Sequence, residues 1–186
     1  MPPCLVCVLN NCFYKDMSID GYIAKPNNDL SFLNAVQREG EDYGYQEFMR
    51  SVDTVILGRK TYDWVMTQVD IFPHAELQTF VITSSKRENS GKTIFYNGDI
   101  PELITNLKKS EGLNIFIDGG AAVVNTLLNH KLIDECIISI IPVLLGDGIQ
   151  LFNNGRPEQV LELLASKQYA SGLVQLHYKM KGNKAL

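Results

Sequence analysis

The sequence predicts a single α/β domain whose central sheet is mostly parallel, has about eight strands, and ends in an antiparallel hairpin. Three observations predict it. Short apolar runs alternate with helical patterns, which demands crossover connections and therefore parallel neighbours. Several runs end directly in glycine or hydroxyl residues at a helix start, with no ordinary loop between. After Pro142 the pattern changes to strand, turn, strand, with Ser171-Gly172 between two long runs, as a hairpin requires.

In chain order, β-type runs place strands at 11–17, 22–24, 53–57, 79–83, 93–96, 114–117 and 135–141, and the closing pair at 160–169 and 173–180. Helical periodicity places helices at 43–51, 59–68, 101–110 and 120–132. The stretch 25–44, rich in Asn, Asp and Glu, reads as a long surface connection, and such connections often serve as lids. Residues 1–10 form an extension with little pattern. No repeat, low-complexity tract or linker divides the chain, so residues 1–186 read as one domain.

Composition narrows the class. With 186 residues, 45% apolar and 20% charged, the chain suits one well-buried soluble core. A net charge of −4 without a basic tract argues against nucleic acid as the main partner. The longest apolar stretches, 4–9 and 136–145, fall far short of the roughly 20 residues that cross a bilayer. MPPCLVCVLNNC has no basic region ahead of its short apolar part, unlike a signal peptide, so a cytoplasmic location is expected. There the four cysteines (Cys4, Cys7, Cys12, Cys136) are expected to be reduced thiols. Cys4 and Cys7 have C-x-x-C spacing, but no second ligand pair follows at metal-site spacing, and no metal is expected.

Three junctions at strand ends carry the chemistry. In FIDGGAAVVNTLL (116–128) an apolar strand meets Gly119-Gly120 and then a helix. That arrangement bares N–H groups at the positive end of a helix dipole, which suits a diphosphate. Close strand-helix packing is the alternative reading of the pair. In DTVILGRKTYDWV (53–65) Gly58, Arg59, Lys60 and Thr61 cluster at another helix start. Cations there oppose the dipole and point to an outside anion, unless they are simply solvated. In FVITSSKREN (80–89) a strand runs out into Thr83, Ser84, Ser85, Lys86 and Arg87, a mixture suited to a phosphate monoester. The carboxyl ends of parallel strands share one edge, so the three junctions face one crevice. A ligand with both a diphosphate and a separate phosphate is a phosphorylated dinucleotide, and NADPH is the expected cofactor.

Two other glycine-bearing signatures fail. SGKT (90–93) lacks the first glycine of a P-loop, because Lys86 stands there, and it is followed by a strand-like run instead of a helix. Gly146-Asp147-Gly148 is not followed by the third glycine or the helix of a dinucleotide fingerprint.

As a set, MSIDGYIA (17–24), DTVILGRKTYDW (53–64), VITSS (81–85), IDGGAAVVNTLL (117–128) and LIDECIISIIPVLLGDGIQLF (132–152) resemble the dihydrofolate-reductase-like proteins. The likeness is nearest to the reductase domain of riboflavin-biosynthesis deaminase-reductases and its stand-alone relatives. It implies a dihydrofolate-reductase-like α/β/α fold, bound NADPH, and often a homodimer. Carried over, Asp16, Met17, Ile23 and Ala24 would line the nicotinamide, and Arg59 and Thr61 would serve the 2′-phosphate and diphosphate beside Gly58. Thr83, Ser84 and Ser85 would lie by the adenosine ribose phosphate, and Gly119, Gly120 and Ala121 would wrap the diphosphate. No deaminase-type stretch is read in these 186 residues, so a reductase domain without a deaminase partner is expected, and no arginines can be placed for a ribose phosphate substrate. The carboxylate of dihydrofolate reductases has only Glu41, Asp42 or Glu47 as stand-ins.

The expected activity is NADPH-dependent hydride transfer to a C=N or C=O group of a small, pterin- or pyrimidine-like substrate. The alternative is a dinucleotide-binding or regulatory protein without turnover. Asp118 is the candidate catalytic residue and substrate anchor, with a helix-capping carboxylate as its plainer reading. Phe32 resembles an aromatic that flanks the cofactor in relatives, and Tyr45, with Tyr43 and Phe48, is a candidate substrate lid; aromatics so placed more often face a core. Trp64 reads as core. His74, His130 and His177 show no ligand spacing.

Overall fold

The computed structural model describes residues 9–182; Cys4 and Cys7 lie outside them. Eight strands form one sheet in the order β5-β4-β3-β6-β1-β7-β10-β9. They are β1 (Asn11–Ser18), β3 (Val52–Gly58), β4 (Gln78–Ile82), β5 (Thr93–Tyr96), β6 (Asn114–Gly119), β7 (Glu135–Ile141), β9 (Leu161–Gln168) and β10 (Val174–Met180). All pairings from β5 to β7 are parallel, whereas β10 is antiparallel to both β7 and β9. The closing hairpin turns at Ser171-Gly172 as expected, with the Gly172 N–H donating to the Tyr169 carbonyl at 3.0 Å. The short strand β2 (Tyr22–Ala24) pairs with a two-residue strand, β8 (Ile149–Gln150), that its length hid from the sequence.

Alternation along each strand splits the core into two layers, because successive side chains point to opposite faces. Phe13, Ile56, Ile115 and Ile117 pack with α3 (Ile100–Leu107) and α4 (Ala121–Asn129). Tyr14, Val55, Leu57 and Phe116 pack with α1 (Tyr45–Met49) and α2 (Arg59–Met66). The result is the expected α/β/α sandwich. Fully buried side chains such as Phe13, Ile56 and Leu57 each contribute about 1.5–3 kcal/mol.

Three expectations shift for backbone reasons. The helix expected at 43–51 begins only at Tyr45, since Tyr43 (φ 56°) and Gly44 (φ 85°) are left-handed. The helix expected to reach 132 stops at Asn129, ahead of a left-handed Lys131 (φ 55°). The connection 25–44 is anchored by two 3-10 turns, Pro26–Asn28 and Ser31–Ala35. Phe32 and Val36 within it are buried with Ile141, Tyr169 and Leu173.

The corner after β1 explains part of the MSIDG motif. The Ser18 hydroxyl donates to Asp20 Oδ1 at 2.6 Å, and Asp20 accepts from the N–H groups of Leu145 and Gly146. Those bonds, the Ser18 hydroxyl first, hold the Asp20 carboxyl at about 2. Gly21 takes φ 89° to close the turn. The Gly146-Asp147-Gly148 stretch is thus a tether for β2, consistent with its failing the dinucleotide pattern.

Candidate functional site

The parallel strands deliver their carboxyl ends to one edge, and a cleft of about 640 Å³ opens there. Two helices begin at its wall. Helix α2 starts after Gly58 and α4 after Gly120, and neither has a side chain capping its first turn. The leading N–H groups of both are therefore available to a ligand in the cleft. Gly120 has φ 55°, and a Cβ built on it would come within 3.1 Å of Thr61 Oγ1. A side chain there would fill the space between the two helix starts.

Of the expected cofactor residues, Asp16, Ile23, Ala24, Gly58, Arg59, Thr61, Thr83, Ser84, Gly120 and Ala121 line this cleft. Met17 does not; it packs against the first core layer. Ser85 folds back on Thr83, donating its N–H to Thr83 Oγ1 at 3.2 Å. Gly119 also stands off the cleft. It is buried at the end of β6, where a Cβ would press on Lys15 Nζ at 3.0 Å. The two adjacent glycines thus do different work: Gly120 clears the cleft, and Gly119 makes room for a lysine. Trp64, expected in the core, lines the cleft instead.

Near Gly58, Asp63 gathers two cations. Arg59 Nη1 and Arg87 Nη1 each approach one of its oxygens at 2.7 Å. Partial desolvation raises the Asp63 carboxyl, but the Arg87 and Arg59 guanidiniums outweigh it and hold it below the usual range. Arg59 is therefore oriented beside the cleft, with Arg87 bound to the same carboxylate.

A second, smaller chamber of about 210 Å³ adjoins the cleft, lined by Tyr14, Lys15, Asp16, Asp42, Tyr43, Tyr45, Phe116 and Asp118. Lys15 and Asp16 line both cavities. Lys15 Nζ donates to the Asp118 carbonyl and lies 3.2 Å from Asp118 Oδ1. His74 Nε2 sits 3.9 Å from the other oxygen, and burial holds this imidazole below its ordinary range despite Asp118. Burial raises the Asp16 carboxyl; the Ser139 hydroxyl and the Lys15 ammonium only partly offset it. The Tyr14 hydroxyl is engaged in both directions, donating to the Tyr43 carbonyl at 2.8 Å and accepting from Gln175 at 2.6 Å. Burial takes its acidity to about 12. The Tyr45 hydroxyl has no protein partner among the described residues, and burial, with Asp118 nearby, keeps it protonated.

Asp118 and Tyr45, expected on the substrate side, are brought together in this chamber. Phe32 is not; it is 4% exposed inside the third core cluster. Lys15 was missed, though a cation between Tyr14 and Asp16 inside an apolar strand is a visible signal, because buried charge demands a partner.

A family model, the RibD C-terminal domain, matches residues 13–175. The chain belongs to that family. It is 40% identical to YwjB of Bacillus subtilis (strain 168) over 166 residues, covering 89% of this chain and 94% of that protein. It is 29% identical to YyaP of the same organism over 177 residues, covering 89% and 92%. A riboflavin-biosynthesis-like protein from Shewanella sp. PV-4 superposes with a TM-score of 0.85 at 28% identity, over 93% of this chain and 99% of that one. A dihydrofolate reductase from Enterococcus faecalis, complexed with NADP(H), superposes at 0.63 and 16% identity, over 92% and 96%. That second likeness shows the shared fold. A family of reductase domains and a cleft at the sheet's carboxyl edge together mark the chain as a reductase in the general sense.

Proposed function

We propose that this RibD-type domain is an NADPH-dependent reductase that transfers a hydride to a C=N or C=O carbon of a small molecule held in the second chamber. One observation carries the reading: a cleft of about 640 Å³, flanked by two uncapped helix starts, meets a compact polar chamber at Lys15 and Asp16. Lys15 and Asp16 would hold a cofactor ring at that seam, beside a substrate in the chamber, and close positioning is the main requirement of hydride transfer.

The cleft fits the cofactor on its own terms. Two uncapped helix starts offer N–H groups to a diphosphate, Gly120 leaves the approach open, and Arg59 with Ser84 offers donors for a 2′-phosphate. Met17, Ser85 and Gly119 take supporting places around that set. When bound, NADPH supplies the hydride. Asp16 holds the accompanying proton at its carboxyl, which burial keeps protonated to higher pH than an exposed aspartate, and delivers it to the substrate nitrogen or oxygen. Lys15 is fixed by Asp118, so Asp118 anchors the chamber floor and, through Lys15, the substrate. Tyr45 contributes a free hydroxyl donor, and the walls from Tyr14 and Phe116 exclude water.

The same reading includes a cytoplasmic homodimer. The edge strand β9 is exposed along its whole length, and it carries Leu161, Leu163 and Leu164 at 37%, 52% and 45% exposure. A long apolar edge of this kind calls for a covering partner. The test of the function is direct: titrate NADPH and follow its fluorescence, then follow its absorbance with pterin, pyrimidine and simple carbonyl or imine acceptors. Saturable binding followed by acceptor-dependent oxidation is expected; absence of NADPH binding would remove the reading.

A further inference from the structure

Polar side chains form a row across three strands of the sheet. Asp16 of β1 is in register with Ser139 of β7, and Ser139 with Gln175 of β10, so all three share one face. Ser139 is wholly buried, and Gln175 reaches past it to β1. The side-chain nitrogen of Gln175 lies 2.6 Å from the Tyr14 hydroxyl, 3.0 Å from the Tyr43 carbonyl and 3.3 Å from the Ser139 hydroxyl. A carbonyl can only accept, so the Tyr43 contact fixes the amide with its nitrogen toward this node. The hydroxyl oxygens of Tyr14 and Ser139 then accept from it.

The Tyr43 carbonyl is a fixed point. It also accepts from the Tyr14 hydroxyl at 2.8 Å and the Tyr169 hydroxyl at 3.1 Å, which together hold a left-handed backbone that a residue with a side chain disfavours. With its oxygen taken by Gln175, the Ser139 hydroxyl is left to donate, and the acceptor in register beside it is Asp16. That bond works against the rise that burial imposes on the Asp16 carboxyl. The titratable groups around Asp16 are Tyr14 and Lys15 on its own strand, Asp118 on β6, and Asp42, Tyr43 and Tyr45 from the turn. Lys15 is turned to Asp118, which leaves Ser139 as the hydrogen-bond donor to Asp16.

Resting on the reductase reading above, we propose that Gln175 is a positioning residue for the proton that Asp16 delivers, acting through the Ser139 hydroxyl and anchored on the Tyr43 carbonyl. In the step itself one proton passes from an Asp16 carboxyl oxygen to the nitrogen or oxygen of the acceptor as the hydride reaches the adjacent carbon. No bond to Ser139 or Gln175 is made or broken. Negative charge develops on Asp16, and a Ser139 O–H already aimed at it stabilises that charge without reorganising. Without Gln175 the Ser139 oxygen is free to accept, the Asp16 proton turns back onto it, and the acid holds its proton more tightly.

The test reads Asp16 directly, in the full chain carrying carboxyl-labelled aspartate, by following its carbon resonance against pH; Asp16→Asn assigns the signal. Gln175→Met keeps the length of the side chain and removes its donors. It should raise the proton affinity of Asp16 about threefold or more, the worth of one hydrogen bond. Ser139→Ala should raise it at least as much, and adding Gln175→Met to Ser139→Ala should change nothing further, since Gln175 acts only through Ser139. Gln175→Asn, which withdraws the amide by one methylene, should shift Asp16 in the same direction and serves if the Met variant does not fold. Tyr169→Phe removes a donor from the same Tyr43 carbonyl without touching Ser139 and should leave the Asp16 titration as it is. A titration unmoved by the Gln175 variants, a further shift when Gln175→Met is added to Ser139→Ala, or an equal shift from Tyr169→Phe would overturn the proposal. The measurement needs neither cofactor nor acceptor, so lost NADPH binding with this pattern intact strikes only the reductase reading.

Discussion

The cleft and the chamber are neighbours built on different principles. The cleft is built around strand ends, two helix starts with uncapped N–H groups and a glycine that keeps a side chain out, with Arg59 and Trp64 along its wall. The chamber is made of side chains that converge from β1, β6 and the turn leading into α1. A backbone-built site tolerates many side chains around it and fixes one ligand type, whereas a side-chain site changes its ligand with each substitution. On the proposed reading, cofactor identity is set in the first region and substrate identity in the second.

The sharpest way to break that division is Asp16→Asn. With the carboxyl gone, turnover should fall by roughly 10²–10⁴-fold, the usual contribution of a positioned acid. The same change removes a buried carboxylate whose acidity is raised in the fold. A raised acid disfavours folding once pH climbs past its unfolded value, so at pH 7 the variant should be more stable. A gain of about 1 kcal/mol, or a Tm rise of ~2–4 °C, is expected for a domain this size. Loss of activity with loss of stability would make Asp16 structural. In the parent enzyme kcat should decline as pH rises through the Asp16 range, and the variant should lack that limb.

Next in size is Gly120→Val, which should cut NADPH affinity by about 100-fold or more by occupying the gap beside Thr61. At φ 55° a β-branched residue is also strained, about 1–3 kcal/mol, so the melting temperature should drop as well. Gly120→Ala keeps the comparison clean, with a smaller strain and a smaller loss. Gly119→Ala should behave differently, displacing Lys15 and harming turnover more than NADPH affinity.

A smaller effect separates the phosphates. Arg59→Ala should weaken NADPH about tenfold and NADH little, because one charged hydrogen bond is worth about 1.5–3 kcal/mol and part of this one is screened by solvent. Equal losses for both cofactors would put the 2′-phosphate elsewhere. Smallest for the site, but decisive for assembly, is Leu163→Lys on β9. Sedimentation should show a shift toward monomer with NADPH affinity unchanged, and an unchanged mass would relieve β9 of any interface role.

The same contrast decides what the sequence reveals. Strand order of type, the hairpin turn and the three glycine or hydroxyl junctions are local patterns, and most of the cleft lining follows from them. The chamber depends on which residues distant segments bring together, and local pattern carries little of that. Tyr14 and Asp42 are ordinary in sequence, and only the sheet places them around Asp118. Lys15 is the exception, a charge inside an apolar strand whose partner, Asp118, lies on the adjacent β6. Phe32 shows the converse, an aromatic assigned by resemblance to the ligand and placed by the fold in the core. Trp64, an aromatic read as core, lines the cleft instead, because the second turn of α2 borders the cavity. The helix limits near Tyr43 and Lys131 were set by left-handed backbone that periodicity does not register.

A crystal structure of the protein soaked with NADPH tests the central claim most directly. The account predicts the diphosphate on the N–H groups after Gly120, the 2′-phosphate by Arg59 and Ser84, and the nicotinamide ring at the seam of Lys15 and Asp16. A nicotinamide lodged away from that seam, with the second chamber closed to it, would contradict the account.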